Sequence, residues 1–128
     1  MSHRLSLAKA AKRKGFEVIV LTSLGNHKEA ILENGFIFED IAINRSSINP
    51  FSQLVYFFKV VKVYASYKPN LVHHIALKPI LLGTLAAYFF KNIKVINTFP
   101  GMGILFTKNS MKFVLIRLLI IRILRFLL

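Results

Sequence analysis

Leu71-Val72-His73-His74-Ile75 runs into Ala76-Leu77-Lys78-Pro79, and further on Ile93-Lys94-Val95-Ile96-Asn97 runs into Thr98-Phe99-Pro100-Gly101-Met102-Gly103. Each reads as a short apolar strand ending in a polar loop. In open α/β sheets ligands bind outside the carboxyl ends of parallel strands, where loops are free of packing duty. Two such ends, both decorated with polar residues, mark the candidate site and set the fold class.

Working outward, Ser2 is a good N-cap, and Leu5, Leu7, Ala8 and Ala11 recur at helical spacing until Gly15 stops them, predicting a helix from Ser2 to Lys14. Phe16 to Thr22 reads as a buried strand, His27 to Glu33 as a short helix closed by Asn34-Gly35, and Phe36 to Ile41 as a second strand. Asn44-Arg45-Ser46-Ser47-Ile48-Asn49-Pro50 is dense in turn and capping residues. A helix from Pro50 to Tyr67 follows, with proline at its first position, and Lys68-Pro69-Asn70 breaks it before the third strand, Leu71 to Ile75. Pro79 opens a helix over Ile80 to Phe90, the fourth strand is Ile93 to Asn97, and a last helix begins near Ser110.

That alternation predicts an α/β fold of Rossmann-like, three-layer αβα type, a parallel sheet with right-handed crossovers and helices on both faces. The opening helix has no strand before it, and Leu124-Arg125-Phe126-Leu127-Leu128 ends without a C-cap. The expectation is one domain over residues 1–128, truncated at both ends and lacking its first strand.

Composition narrows the partners. A chain of 128 residues makes one core but not two lobes around a closed cleft. Eighteen Lys and Arg against five Asp and Glu give a net charge of +13, which attracts phosphate in nucleic acid, anionic lipid or a pyrophosphate-bearing substrate. Absence of cysteine removes disulfides and thiolate chemistry and fits a cytoplasmic protein. Hydrophobic residues make up 55% and mean hydropathy is +0.55, an apolar excess that must be buried in sheet, partner or membrane. No signal peptide is read at the N-terminus. Met111 to Leu128 is apolar but interrupted by Lys112, Arg117, Arg122 and Arg125, short of the ~20 uncharged residues of a span.

Four constellations carry chemistry. His73 and His74 are adjacent on a strand, so one imidazole points to each face; one packs against a helix and the other reaches the crevice, in an order left open. They cannot form a facial metal pair, and with few acids nearby no metal site is expected. Asn97 to Gly103 lets backbone N–H groups approach an anion, although Phe106 breaks the GxGxxG pattern and an ordinary connection explains it equally. Arg45 and Ser46 precede a helix N-terminus, a setting that favours bound phosphate; Ser47 and Asn49 read equally as caps, but Arg45 has no capping duty. Lys78 stands at a helix start, where a cation is disfavoured unless it is functional or simply solvated. In the last helix Arg117, Arg122 and Arg125 fall within an arc of ~140°, the pattern of an interfacial helix and also of a core helix in a larger protein.

Ser2-His3-Arg4-Leu5, Arg45-Ser46-Ser47-Ile48-Asn49-Pro50-Phe51, Pro69-Asn70-Leu71-Val72-His73, Lys78 followed by Gly83-Thr84-Leu85-Ala86-Ala87, and Gly101-Met102-Gly103 together resemble the N-terminal half of a family 4 glycosyltransferase. The similarity is to bacterial enzymes that build capsular polysaccharide, O-antigen or lipid-linked glycans. It implies the acceptor-binding half of a GT-B fold, whose other domain holds the nucleotide-sugar donor. The function implied is sugar transfer, of hexosyltransferase type, to a polyprenyl-pyrophosphate-linked saccharide, with this piece inactive alone. Many members place a histidine after the fourth strand where this chain has Thr98-Phe99-Pro100, so no catalytic residue is assigned.

The residues expected at the acceptor are Arg45, Ser46, His74, Lys78, Thr98, Gly101 and Gly103. No cofactor is expected. The partners implied are the donor, through the other domain, the lipid-linked acceptor, and an anionic membrane surface at the inner face of the bacterial cell membrane. The rival reading is a non-enzymatic basic module for anionic membrane or nucleic acid; nucleic acid is set aside because the cations are scattered among covering helices rather than arrayed on one face.

Overall fold

The computed structural model describes residues 3–23, 25, 27–42 and 49–99, and positions 114, 118, 119, 121, 122 and 125. Two compact units divide the chain, Met1–Ser52 and Gln53–Leu128.

The first unit opens with α1, His3–Arg13, whose last turn carries Lys12 and Arg13 beside the negative end of the helix dipole. Gly15 then adopts φ +91°, and two backbone bonds close the helix: Gly15 N–H to Lys12 O at 2.9 Å and Phe16 N–H to Ala11 O at 3.2 Å. The same device ends α2, Lys28–Glu33. There Gly35 has φ +70°, its N–H meets Leu32 O at 2.8 Å, and Phe36 N–H meets Ile31 O at 3.2 Å. Glycine suits both positions because it enters the left-handed region without the strain a side chain meets there.

Strand β1, Ile19–Thr22, pairs in parallel with β2, Ile37–Asp40, with Ile19 opposite Ile37 and Thr22 opposite Asp40. The first strand begins three residues later than Phe16. The physical reason is that Phe16 completes the cap of α1 and lies 55% exposed, whereas Phe36, in the equivalent place after α2, is 3% exposed and part of the core with Ile31 and Ile41.

Lys12 ties the two ends of this unit together. Its Nζ donates to Asn34 O at 3.0 Å and Gly35 O at 2.8 Å, neutralising carbonyls at the end of α2, and lies 5.8 Å from the Phe36 ring centre. Lys12→Met keeps the apolar stem and removes the charge. It should cost about 0.5–1 kcal/mol in urea unfolding, the range for a solvent-accessible cation on helix-end carbonyls; an unchanged midpoint would show that water replaces it.

Helix α3, Pro50–Tyr67, has the predicted bounds and belongs to the second unit from Gln53 onward. Asn49 Oδ1 accepts from Phe51 N–H at 3.0 Å, and the helix stops at Lys68, φ +47°, before Pro69. Tyr56, Val60 and Tyr64 recur four apart and form its buried stripe. Strand β3, Leu71–Ile75, pairs in parallel with β4, Lys94–Thr98, from Leu71 opposite Lys94 to Ile75 opposite Thr98. Between them a π-helical turn, Pro79–Gly83, continues into α4, Thr84–Tyr88. Two parallel pairs, each bridged by a helix, are the α/β pattern expected; the four strands form two two-stranded sheets. Val114, Leu118, Leu119, Ile121, Arg122 and Arg125 are helical and exposed; Arg117 lies outside the described residues.

Candidate functional site

Strand β3 alternates strictly, with Leu71 and His73 exposed and Val72 and His74 buried. The parallel register sets His74 beside Asn97 and Ile75 beside Thr98. One face of the pair is therefore the inner one.

On that inner face His74 is 6% exposed and both ring nitrogens are engaged. Tyr64 Oη stands 2.6 Å from Nε2, and Asn97 Oδ1 stands 2.9 Å from Nδ1. Asn97 Nδ2 donates to Thr84 Oγ1 at 3.1 Å, which turns the amide oxygen toward the ring. The protons follow: Nδ1 carries the hydrogen and gives it to Asn97, while the Tyr64 hydroxyl donates to Nε2. The ionisations agree with this assignment. Burial holds the imidazole below its ordinary pKa, against an opposing contribution from the Asn97 bond, and His73 lowers it further. Burial likewise pushes the Tyr64 hydroxyl upward, with Tyr56 adding to it, and raises Tyr56 to about 12. A neutral ring and a protonated phenol remain as a fixed pair.

Gly83 completes the packing. It is buried in the π-helical turn, and a Cβ there would collide with the His74 ring, so only glycine allows this helix to approach β3 so closely. A π turn at a strand's carboxyl end is a distortion often found at functional sites.

The outer face is different. His73 Nε2 lies 2.7 Å from Thr98 Oγ1 in exposed surroundings, across the carboxyl ends of β3 and β4. Ala76, immediately after β3, has φ +86°, a conformation costly for a side chain, and donates its N–H to Thr98 O at 3.3 Å. Lys78 follows in helical backbone, φ −62°, half-buried. An imidazole, a hydroxyl and an ammonium at the ends of two parallel strands can exchange hydrogen bonds with substrate hydroxyls and attract phosphate.

Of the residues expected from sequence, Thr98 and Lys78 occur at this end of the sheet. His74 is on the inner face with its ring spent on Tyr64 and Asn97, and the histidine on the outer face is His73. Arg45, Ser46, Gly101 and Gly103 lie outside the described residues. The partners Tyr64, Thr84 and Asn97 were missed. A signal existed for Asn97, since a polar residue on the inner face of one strand asks for a polar neighbour on the next. Among the described residues no group of three His, Asp or Glu could hold a metal ion. A depression in the first unit, lined by Lys9, Lys12, Arg13, Asn34 and Phe36, is open surface whose central cation, Lys12, is already committed to backbone carbonyls.

Against this geometry, the model of the glycosyl transferase 4-like family matches residues 1–127. The chain belongs to the glycosyl transferase 4-like family. The match crosses both compact units, so this glycosyl transferase 4-like domain includes the two parallel pairs and the polar strand ends. Comparison with curated proteins returned no match.

Proposed function

We propose that this glycosyl transferase 4-like domain binds the acceptor in the transfer of a sugar from a nucleotide-sugar donor, held by a second domain, to a polyprenyl-pyrophosphate-linked saccharide of bacterial surface polysaccharide or glycan synthesis. The observation that carries this reading is the exposed His73–Thr98 pair at the carboxyl ends of adjacent parallel strands, followed by strained Ala76 and by Lys78. Such an acceptor presents sugar hydroxyls and a pyrophosphate. The paired imidazole and hydroxyl match the former, and Lys78 supplies a point charge for the latter.

The test titrates the chain with a short-prenyl pyrophosphate disaccharide, soluble in water, and with a nucleotide sugar. Binding of the former is expected, with Lys78→Ala weakening it roughly 10- to 100-fold, the loss of one charge-assisted contact. Thr98→Val should weaken binding less, about fivefold, as a neutral contact. Preference for the nucleotide sugar, or an alanine variant with unchanged acceptor affinity, would overturn the assignment.

A further inference from the structure

The inner and outer faces of the β3–β4 pair share their backbone. His73 and His74 are joined by one peptide unit, Asn97 and Thr98 by another, and successive residues of a strand point to opposite faces. Whatever holds His74 against Asn97 on the inner face therefore also holds the backbone from which His73 and Thr98 leave on the outer one. All four belong to the unit Gln53–Leu128.

The two contacts differ in register. His74 stands directly opposite Asn97, but the residue opposite His73 is Ile96, and Thr98 stands opposite Ile75. The outer contact is thus diagonal, and diagonal neighbours on a sheet are farther apart than direct ones. A side chain as long as imidazole can close that gap to the observed 2.7 Å between Nε2 and Oγ1, but only at one stagger and twist of the strands. Backbone pairing alone leaves that twist a wide range, roughly −10 to −35° between adjacent strands. Something besides the ladder must narrow it.

Asn97 has the geometry to do so. It is half-buried, its Oδ1 accepts from His74 Nδ1 at 2.9 Å, and its Nδ2 donates to Thr84 Oγ1 at 3.1 Å. One amide therefore clamps β4 to β3 and to α4 at once. The next residue is held as well, since Thr98 O accepts from Ala76 N–H at 3.3 Å, and Ala76 keeps its costly φ of +86° in making that bond.

We propose that Asn97 is the positioning residue of this strand end: by fixing β4 against β3 and α4 on the inner face, it sets the diagonal contact between His73 and Thr98 on the outer face, and so the spacing of the imidazole and hydroxyl that a ligand meets. That the ligand is the acceptor rests on the reading above. The coupling of the two faces does not.

The experiment has two arms on the whole chain. In the first, with no ligand, nuclear magnetic resonance reads the nitrogen chemical shifts of the His73 ring, which report where its proton sits and whether it is hydrogen-bonded. Asn97→Ala should move them toward those of a free imidazole. Asn97→Asp should keep them close to wild type, because it retains an oxygen beside His74 Nδ1 and the Thr84 hydroxyl, already 3.4 Å from Oδ1, can turn to donate to it. Thr84→Val, a milder change that frees the amide from α4, should move them the same way by less. Val60→Ala removes two methyl groups from the buried stripe of α3 and lowers stability without removing a polar group; it should leave the His73 shifts alone. In the second arm the short-prenyl pyrophosphate disaccharide is titrated. Asn97→Ala should weaken binding about fivefold, as Thr98→Val does, the two together should cost little more than either, and Asn97→Asp should restore affinity.

Wild-type His73 shifts in both Asn97→Ala and Thr84→Val would overturn the proposal, as would a Val60→Ala change as large as that of Asn97→Ala, which would mean general softening. Strictly additive losses for Asn97→Ala and Thr98→Val would also overturn it. A wild-type chain that binds no disaccharide would overturn the acceptor reading alone, because the first arm still decides whether Asn97 positions the pair.

Discussion

Gly83→Ala should destabilise the protein by about 2–3 kcal/mol, although alanine is the better helix former by ~1 kcal/mol. The reason is local: the added methyl would enter the volume of the His74 imidazole, which cannot retreat while Tyr64 and Asn97 hold its two nitrogens. Either the π-helical turn moves away from β3 or the ring leaves its bonds. Urea midpoints of Gly83→Ala, His74→Ala and the double variant form a cycle that isolates this clash. The expected outcome is a double variant far less damaged than the sum of the singles. Strict additivity would show that Gly83 is there for another reason.

His74→Leu should cost about 3 kcal/mol or more. It replaces a partnered ring by an apolar side chain of similar bulk and takes the ring nitrogens away from the Tyr64 hydroxyl and the Asn97 carbonyl oxygen. The variant also tests the ionisation. Burial lowers the native imidazole below its ordinary value of 6.5, so the unfolded chain binds the proton more tightly. Its contribution to stability is complete above about pH 6.5 and is lost as pH falls toward the native value, with a slope of up to ~1.4 kcal/mol per pH unit. Stability curves at pH 7.5 and 5.5 should therefore converge between wild type and His74→Leu at the acid end. Parallel curves would remove His74 as the acid-sensitive group.

Several boundaries were legible because the residues that set them act locally. Pro50 and Pro69 bracket α3, and Gly15 and Gly35 end α1 and α2 through a left-handed backbone that glycine adopts without strain. The strand start at Phe16 was misread because its apolar character suits a strand, while its N–H is taken by Ala11. Nothing in Pro79-Ile80-Leu81-Leu82-Gly83 announces a π turn; it exists because Gly83 backs onto a ring from another element. At the site, period-two alternation separates His73 from His74 but cannot say which faces in, since Leu71 and Val72 are both apolar. The choice is made by Tyr64 and Thr84, which lie on other elements, ten residues to either side of His74. Lys78 and Thr98 were legible as strand-end residues, a positional rule that needs no side-chain contact.

The network around His74 also has a kinetic meaning. Its members arrive on four separate elements, α3, β3, α4 and β4, and the ring is satisfied only after all four have met in one register. Such bonds belong to the last stage of assembly, when most apolar surface is already out of water. They should add little to the speed of folding and a great deal to the height of the barrier against unfolding. In a chevron series, Tyr64→Phe and Thr84→Ala should steepen neither limb; they should shift the unfolding limb upward and leave the folding limb in place. The buried imidazole would then act as a latch, setting how long the strand ends stay in place rather than how fast they form.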